Sequence, residues 1–174
     1  NFGGVDILVP CAGILALGSI TDIGPEAWRD AVDTNINSIY YLLHLGIPEL
    51  QKREKGNIVV IGSIAAYRGF PNHAAYCTTK GALVPMIRQV AMDYAPQIRA
   101  NILCPGPVDT PLLWYSAKAF PDPSKAVSDV ADRAPMKRLG TPEDIARATL
   151  FLACEDSSWI QGTALNIDGG VMIN

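Results

Sequence analysis

The amino-acid sequence predicts an α/β fold in which helices cover both faces of a parallel sheet. Four short runs rich in Val, Ile and Leu alternate with longer stretches of helical periodicity, and polar residues, Gly or Pro bound each run. Such runs are typical of parallel strands, because both faces of these strands are buried. The 174 residues are 49% apolar and 18% charged, which indicates a single globular domain over residues 1–174.

Strands and helices are predicted to follow one another in β-α-β order. The strands are expected at residues 6–9, 57–61, 99–104 and 164–167. One helix is expected to begin near residue 25, and three further helices are expected at 35–54, 73–94 and 142–153. The last helix has the clearest start, because Thr141 is followed by Pro142 and by Asp144 in capping-box spacing. The second helix is expected to end at Gly56 and to bury one face with Ile36, Ile39, Tyr40, Leu43 and Ile47.

The segment 109–137 lacks such periodicity. Four prolines interrupt it, at positions 111, 121, 123 and 135. We expect a long irregular or short-helical excursion, and segments of this length in compact domains are usually lids or binding loops.

Tyr76 and Lys80 carry the strongest local signal for chemistry. Four residues apart on a predicted helix, the phenol and the ammonium share one face. A neighbouring ammonium favours the phenolate, so the pKa of Tyr76 is expected to fall, and a tyrosine tuned in this way can act as a general acid or base. The pair by itself is commonplace on helices.

Two further segments are predicted at the same edge of the sheet. Ser63 follows the strand 57–61, and the Pro-rich segment 104–111 follows the strand 99–104. Open α/β sheets bind ligands outside the carboxyl ends of their strands. The alternative is that Ser63 caps a turn and that 104–111 is only a rigid turn.

These motifs occur in an order that resembles the classical short-chain dehydrogenase/reductase family along essentially the whole chain. The resemblance implies a Rossmann-like, doubly wound parallel sheet in three layers, α/β/α. It rests on a strand followed by Ser63, Tyr76 and Lys80, then Asn101, Cys104, Pro105, Gly106 and Thr110, then Arg138, Gly140 and Pro142 to Ala146, and finally Asn166, Asp168, Gly169 and Gly170.

The resemblance also implies roles and an activity. Tyr76 would exchange a proton with the substrate oxygen, Ser63 would position that oxygen, and Lys80 would lower the pKa of Tyr76 and bind the nicotinamide ribose. Asn35 would hold a water that connects Lys80 to solvent, or else would be an ordinary N-cap. The implied reaction is hydride transfer between NAD or NADP and an alcohol or ketone of low molecular weight.

Further residues are implied to contact the cofactor. Around the nicotinamide these are Pro105, Gly106, Val108 and Thr110, and on the adenosine side they are Ala12 and Gly13. Cys11 departs from the asparagine that the family usually has there. The segment 109–137 would be the substrate lid, whose apolar residues would line a pocket or only pack the lid on the body: Leu112, Leu113, Trp114, Tyr115 and Phe120.

The glycine-rich turn that binds the pyrophosphate has no match in these residues. We therefore expect the chain to lack the first β-α-β-α-β part of the domain, roughly 70 to 90 residues. Without that part the sequence does not indicate whether the cofactor is NAD or NADP. Strand 6–9 is then expected to be an apolar edge of the sheet. A truncated, non-catalytic binding or regulatory subunit is the alternative. Sugar-nucleotide epimerisation is disfavoured, because the chain ends soon after Gly170.

Composition limits the partners. The net charge of −3 provides no basic excess for nucleic acid, and no run approaches the ~20 apolar residues of a membrane span. The four cysteines lie far apart, which predicts reduced thiols and no metal site. We expect a cytoplasmic homo-oligomer, a dimer or tetramer, in which His44 and His73 are exposed and not catalytic.

Overall fold

A four-stranded parallel sheet forms the centre of the computed structural model, which describes residues 3–173. The strands are β1 (Ile7–Leu8), β2 (Gly56–Ile61), β3 (Ile98–Pro105) and β4 (Ala164–Ile167), and they lie side by side in that order. The register places Ile58 opposite Ala100 and Leu103 opposite Leu165. The predicted α/β fold class is confirmed.

Strand β1 is shorter than the predicted 6–9, although its pairing reaches beyond its ends. The N–H of Asn57 donates to the carbonyl of Asp6 at 3.0 Å, and the N–H of Ile61 donates to the carbonyl of Pro10 at 3.0 Å. Pro10 has no N–H of its own, so it cannot extend the ladder. In the sheet formed by residues 3–173 this strand lies at one side, and Val5, Ile7 and Val9 are exposed there.

Six α-helices surround the sheet. They are α1 (Pro25–Val32), α2 (Ser38–Leu50), α3 (Ala74–Tyr94), α4 (Pro111–Ala117), α5 (Pro123–Arg133) and α6 (Pro142–Ala153). A π-helical turn, Asp33–Asn37, joins α1 to α2. The short helices α4 and α5 lie in the segment 109–137, which is therefore short-helical.

The predicted helix 35–54 is wrong at both ends and on one face. Its first residues belong to the π-helical turn, and α2 ends at Leu50, where the side-chain amide of Gln97 donates to the carbonyls of Gln51 and Arg53 at 2.9 Å. These bonds satisfy carbonyls after the helix end. Tyr40 is exposed, because the buried face of α2 runs through Ile39, Leu43, Ile47 and Leu50 and Tyr40 lies ~100° from Ile39.

The core lies on both faces of β2 and β3, because successive side chains of a strand point to opposite faces. Ile58 and Ile102 pack with Leu83 of α3 on one face, and Val59 and Leu103 pack with Leu152 of α6 on the other. Full burial of side chains of this size contributes ~1.5–3 kcal/mol each.

The predicted start of α6 is confirmed. The hydroxyl of Thr141 accepts the N–H of Asp144 at 3.2 Å, and the carboxylate of Asp144 accepts the N–H of Thr141 at 2.8 Å. Arg138 Nη1 adds an ion pair to Asp144 at 2.6 Å, which holds the pKa of that carboxyl far below its usual range. This capped end separates the segment 109–137 from the helix that follows.

The surface of residues 3–173 bears on two expectations. No helix in this range combines the length and the apolar character needed to cross a bilayer. The homo-oligomer stays a prediction, although α2 carries an exposed group of apolar side chains of the kind that a second subunit would cover: Tyr40, Tyr41, Leu42 and Leu45.

Candidate active site

Ser63 lies at the carboxyl end of β2, as predicted. Its backbone is extended, and its hydroxyl accepts the N–H of Ala65 at 3.1 Å, so it caps the 3-10 turn Ile64–Ala66. The same hydroxyl lies close enough to the phenol of Tyr76 to act on its pKa. Ser63 is therefore both a turn cap and a polar neighbour of Tyr76, and the two interpretations of this residue do not exclude each other.

Tyr76 stands in the first turn of α3, and its side chain is half-buried. Burial raises the pKa of the phenol above its ordinary value of 10.0, and the nearby Ser63 hydroxyl opposes that shift. The expected lowering of this pKa by Lys80 is therefore wrong. The reason is distance and desolvation, since Lys80 Nζ lies 5.9 Å from the centroid of the Tyr76 ring.

Lys80 lies one turn further along α3 and is only 3% exposed. Its Nζ donates to the carbonyl of Ile61 at 3.0 Å, at the end of β2. Burial lowers the pKa of this ammonium from 10.5 to about 8. The predicted placement of Tyr76 and Lys80 on one face of a helix is confirmed by this geometry, and the lysine keeps further donors for a ligand.

Asn35 is fully buried in the π-helical turn and caps no helix. Its Nδ2 donates to the carbonyl of Ile14 at 3.0 Å and to Thr79 Oγ1 at 2.9 Å, and its Oδ1 accepts the N–H of Ile14 at 2.8 Å. The amide thus ties the loop after β1 to α3. Sequence reasoning missed Thr79, whose position three residues after Tyr76 on a buried helical face is the signal that could have found it.

Gly13 fills a narrow space between two of these side chains. A Cβ at this position would lie 3.3 Å from Lys80 Nζ and 3.4 Å from Asn35 Oδ1. Ala12 lies beside it and is exposed, just beyond the carboxyl end of β1. The loop 12–14 therefore passes directly over the buried polar pair, and a side chain on Gly13 would crowd that pair.

The segment after β3 reaches the same edge of the sheet. Pro105 is the last residue of β3, and the N–H of Gly106 donates to the carbonyl of Ile167 at 3.0 Å. A Cβ on Gly106 would lie 2.7 Å from the Cα of Asp168. The close backbone approach at Gly106 is thus to the neighbouring segment at Asp168.

Val108 and Thr110 lie in the segment after Gly106, where Val108 forms an isolated parallel β-bridge with Gly140. The neighbours of Val108 make the two bridge hydrogen bonds, Asp109 N–H to the carbonyl of Gly140 and Gly140 N–H to the carbonyl of Pro107, both at 2.9 Å. In a parallel bridge the N–H and C=O of Val108 itself point the opposite way. Thr110 Oγ1 donates to that carbonyl at 3.2 Å.

The expectation that His73 is exposed is wrong. Its imidazole is 4% exposed, with Nδ1 2.6 Å from the carbonyl oxygen of Pro71 and Nε2 2.7 Å from Ser116 Oγ of α4. The ring is buried because the segment around His73 pairs with Gly18. The N–H of Gly18 donates to the carbonyl of Asn72 at 2.8 Å. His44 is exposed on α2, as predicted.

The apolar side chains of α4 are only partly packed. Leu112 is 38% exposed, and Trp114 and Tyr115 are each 44% exposed. Trp114 donates from its indole N–H to Asp109 Oδ1 at 3.0 Å, which fixes the ring at the start of the lid segment. In the segment 109–137 the buried apolar residues are instead small or medium-sized, among them Ala117 and Val127 of α5.

Comparison with known proteins agrees with this arrangement. The sequence profile of the Enoyl-(Acyl carrier protein) reductase family matches residues 1–172. The chain is 37% identical over 172 residues to the dehydrogenase/reductase SDR family member 6 of Danio rerio, an alignment covering 98% of this chain and 70% of that protein.

Two solved structures are similar in fold. The ligand-free aldohexose dehydrogenase of Thermoplasma acidophilum superposes with a TM-score of 0.94 at 35% identity, covering 99% of this chain and 70% of that one. A gluconate 5-dehydrogenase of Burkholderia cenocepacia, in complex with NADP and tartrate, gives 0.91 at 28% identity, covering 100% and 67%. The chain thus spans about two thirds of the length of the proteins that it matches, and it belongs to the classical short-chain dehydrogenase/reductase family.

Proposed function

We propose that this chain carries the catalytic residues of an NAD(P)-dependent oxidoreductase that interconverts an alcohol and a carbonyl compound. The observation that carries the proposal is the grouping of three side chains at the carboxyl edge of the sheet. Ser63 follows β2, and Lys80 is buried one helical turn after Tyr76, with its Nζ 5.9 Å from the centroid of the Tyr76 ring. The relatives named above are dehydrogenases or reductases, which supports an oxidoreductase over a non-catalytic binding subunit.

Tyr76 is the proton donor and acceptor in this proposal. A phenol whose pKa is raised by burial is protonated at neutral pH, so it can donate a proton to the oxygen of a carbonyl that is being reduced. Ser63 holds the same oxygen by a hydrogen bond. In the oxidation direction the phenol must accept a proton, so this direction is favoured at alkaline pH.

Lys80 and Asn35 hold the groups around Tyr76 in place. The ammonium of Lys80 is fixed by the carbonyl of Ile61 and keeps further N–H donors for a hydroxyl of the cofactor. Asn35 holds the loop at Ile14 in place, and its Oδ1 has a second lone pair with which it can bind a water beside Lys80. The water relay expected from the family stays a proposal.

The polar groups of the site fit a nicotinamide nucleoside. Val108 presents an N–H and a C=O side by side, the pattern that a carboxamide can pair with, and Lys80 offers donors to a ribose hydroxyl. Pro105, Gly106, Thr110, Ala12 and Gly13 line the same edge. NAD or NADP, when bound, supplies or accepts the hydride. The relative from Burkholderia cenocepacia holds NADP, but the residues that would choose between the two are not identified in this chain.

Replacement of Tyr76 by Phe tests the proposal. The protein is purified at the length that it has in its natural source. The rate at which it oxidises aldohexoses, gluconate and simple secondary alcohols is then measured from the absorbance of the reduced nicotinamide cofactor. Tyr76→Phe is expected to lower kcat by about 10²–10⁴-fold, because it deletes only the hydroxyl that transfers the proton. The affinity for NADH and NADPH, measured by fluorescence titration, is expected to stay within about twofold.

Tyr41→Phe is the matched control, since Tyr41 is exposed on α2, away from the site. Its kcat should equal that of the unaltered protein. Unchanged turnover in Tyr76→Phe would contradict the assigned acid and base.

A further inference from the structure

His73 connects two parts of the molecule that otherwise meet loosely. It immediately precedes α3, three residues before Tyr76, and its ring stands edge-on to the Tyr76 ring with centroids 6.3 Å apart. The same imidazole contacts Ser116 of α4. Among residues 3–173 no other side-chain hydrogen bond joins α4 to α3. The imidazole is therefore the polar link between the proposed acid and the first lid helix.

The hydrogen bonds of His73 have a defined direction. The carbonyl of Pro71 can only accept, and it lies 2.6 Å from Nδ1, so Nδ1 carries the hydrogen of the neutral ring. Nε2 is then an acceptor, and the hydroxyl of Ser116 donates to it at 2.7 Å. A doubly protonated ring would donate from both nitrogens, and Ser116 Oγ would accept, so the link does not depend on the charge of the imidazole.

Backbone hydrogen bonds hold the segment around His73 in place. The N–H of Gly18 donates to the carbonyl of Asn72 at 2.8 Å, and the N–H of Ala74 donates to the carbonyl of Gly18 at 3.4 Å. Asn72 has φ of +58°, the left-handed conformation that asparagine tolerates better than most residues. His73 is therefore anchored by backbone hydrogen bonds that do not depend on its contact with Ser116.

Ser116 is on the same short helix as the partly exposed apolar side chains of the lid. Leu112, Trp114 and Tyr115 precede it within α4, Pro111–Ala117. A helix of seven residues moves as a unit, so a fixed Ser116 also fixes the direction of these side chains.

The geometry points to His73 as a positioning residue that, through Ser116, holds α4 in place beside the site of Tyr76 and thereby sets the affinity for substrate. The inference rests on the proposed oxidoreductase function and extends it to the lid. His73 does not touch the reacting atoms in this proposal. Its removal should weaken substrate binding and leave the chemical step intact.

The first test is Ser116→Ala, which deletes one hydroxyl. KM for an identified substrate is expected to rise about five- to tenfold, the equivalent of one neutral hydrogen bond, with kcat within twofold. Ser128→Ala is the matched control, because Ser128 Oγ donates within α5 to the carbonyl of Lys125 at 3.0 Å, and its KM should not change.

A pair of substitutions at His73 separates the link to Ser116 from the local structure. The amide of glutamine can place an acceptor where Nε2 stands, whereas the shorter asparagine reaches only the place of Nδ1. His73→Gln should therefore keep KM within about twofold, and His73→Asn should raise it as Ser116→Ala does. An unchanged KM in Ser116→Ala, or a fall of kcat alone, would overturn the inference.

Limited trypsin digestion gives a readout that needs no substrate. Lys118 directly follows α4 and is exposed, so loosening of that helix should speed cleavage there severalfold in Ser116→Ala but not in Ser128→Ala. If the protein proves to have no dehydrogenase activity, the proposed function fails while this cleavage still tests the link. Equal cleavage rates in the two variants would show that the bond does not hold α4.

Discussion

The body of the molecule and its lid segment, residues 109–137, are built in different ways. In β2 and β3 the apolar side chains are buried nearly throughout, and the proposed catalytic residues attach to these strands or to α3. In α4 three large apolar side chains are more than a third exposed. If the proposed function is correct, the reacting groups stand on rigid elements, and the side chains proposed to contact the substrate stand on a loosely packed segment.

The largest expected contrast between the two regions is in the cost of losing a leucine side chain. Leu83→Ala in α3 should lower the free energy of unfolding by ~2–5 kcal/mol, because Leu83 is fully buried and the substitution leaves a cavity. Leu112→Ala in α4 should change it by less than ~1 kcal/mol. Urea unfolding of both variants measures the difference, and equal losses would mean that the lid is packed as firmly as the body.

The pH dependence of stability should reveal the cost of burying Lys80. The pKa of Lys80 is about 8 in the folded chain and near 10.5 when unfolded, so the unfolded chain binds more protons between these values and stability rises with pH there. Relative to Lys80→Met, which has no such group, the unaltered protein should gain up to ~3 kcal/mol from pH 8 to pH 10.5.

The measurement is urea unfolding of the protein and of Lys80→Met at pH 7.5 and at pH 10. Loss of the hydrogen bond to Ile61 shifts the variant by a constant amount and leaves the slope unaffected. Parallel pH profiles would mean that the ammonium is hydrated and not buried. The same comparison made with an exposed lid residue, Lys125, should show no divergence near pH 8.

The smallest expected effect concerns the boundary between lid and body. Thr141→Ala removes the side-chain acceptor of the Asp144 N–H at the start of α6, which should cost ~1 kcal/mol of unfolding free energy. Thr141→Ser keeps the hydroxyl and should restore most of it. A loss in Thr141→Ala that approaches that of Leu83→Ala would place the boundary inside the cooperative core.

Much of the site could be predicted because it depends on short sequence distances. Tyr76 and Lys80 share a helical face by their spacing, Ser63 and Pro105 follow strands whose carboxyl ends meet at one edge, and α6 begins at a capping box that is local by nature.

Other features depended on contacts between distant segments. Tyr40 lies outside the face that the periodicity suggested, α2 stops where Gln97 supplies donors from 46 residues away, and His73 is buried against Ser116, 43 residues away. The raised pKa of Tyr76 has the same origin, since its largest cause is burial by the surrounding elements.

The sequence by itself determined the order of the elements, the parallel sheet and the positions of the candidate catalytic residues along the chain. Hydrophobic periodicity, capping and the i to i+4 spacing are local properties that a sequence states directly. Only the tertiary structure decided which polar groups are buried, where their hydrogen bonds go and which loop each side chain holds. Burial and pKa depend on every segment packed around a group, and these segments come together only when the chain folds.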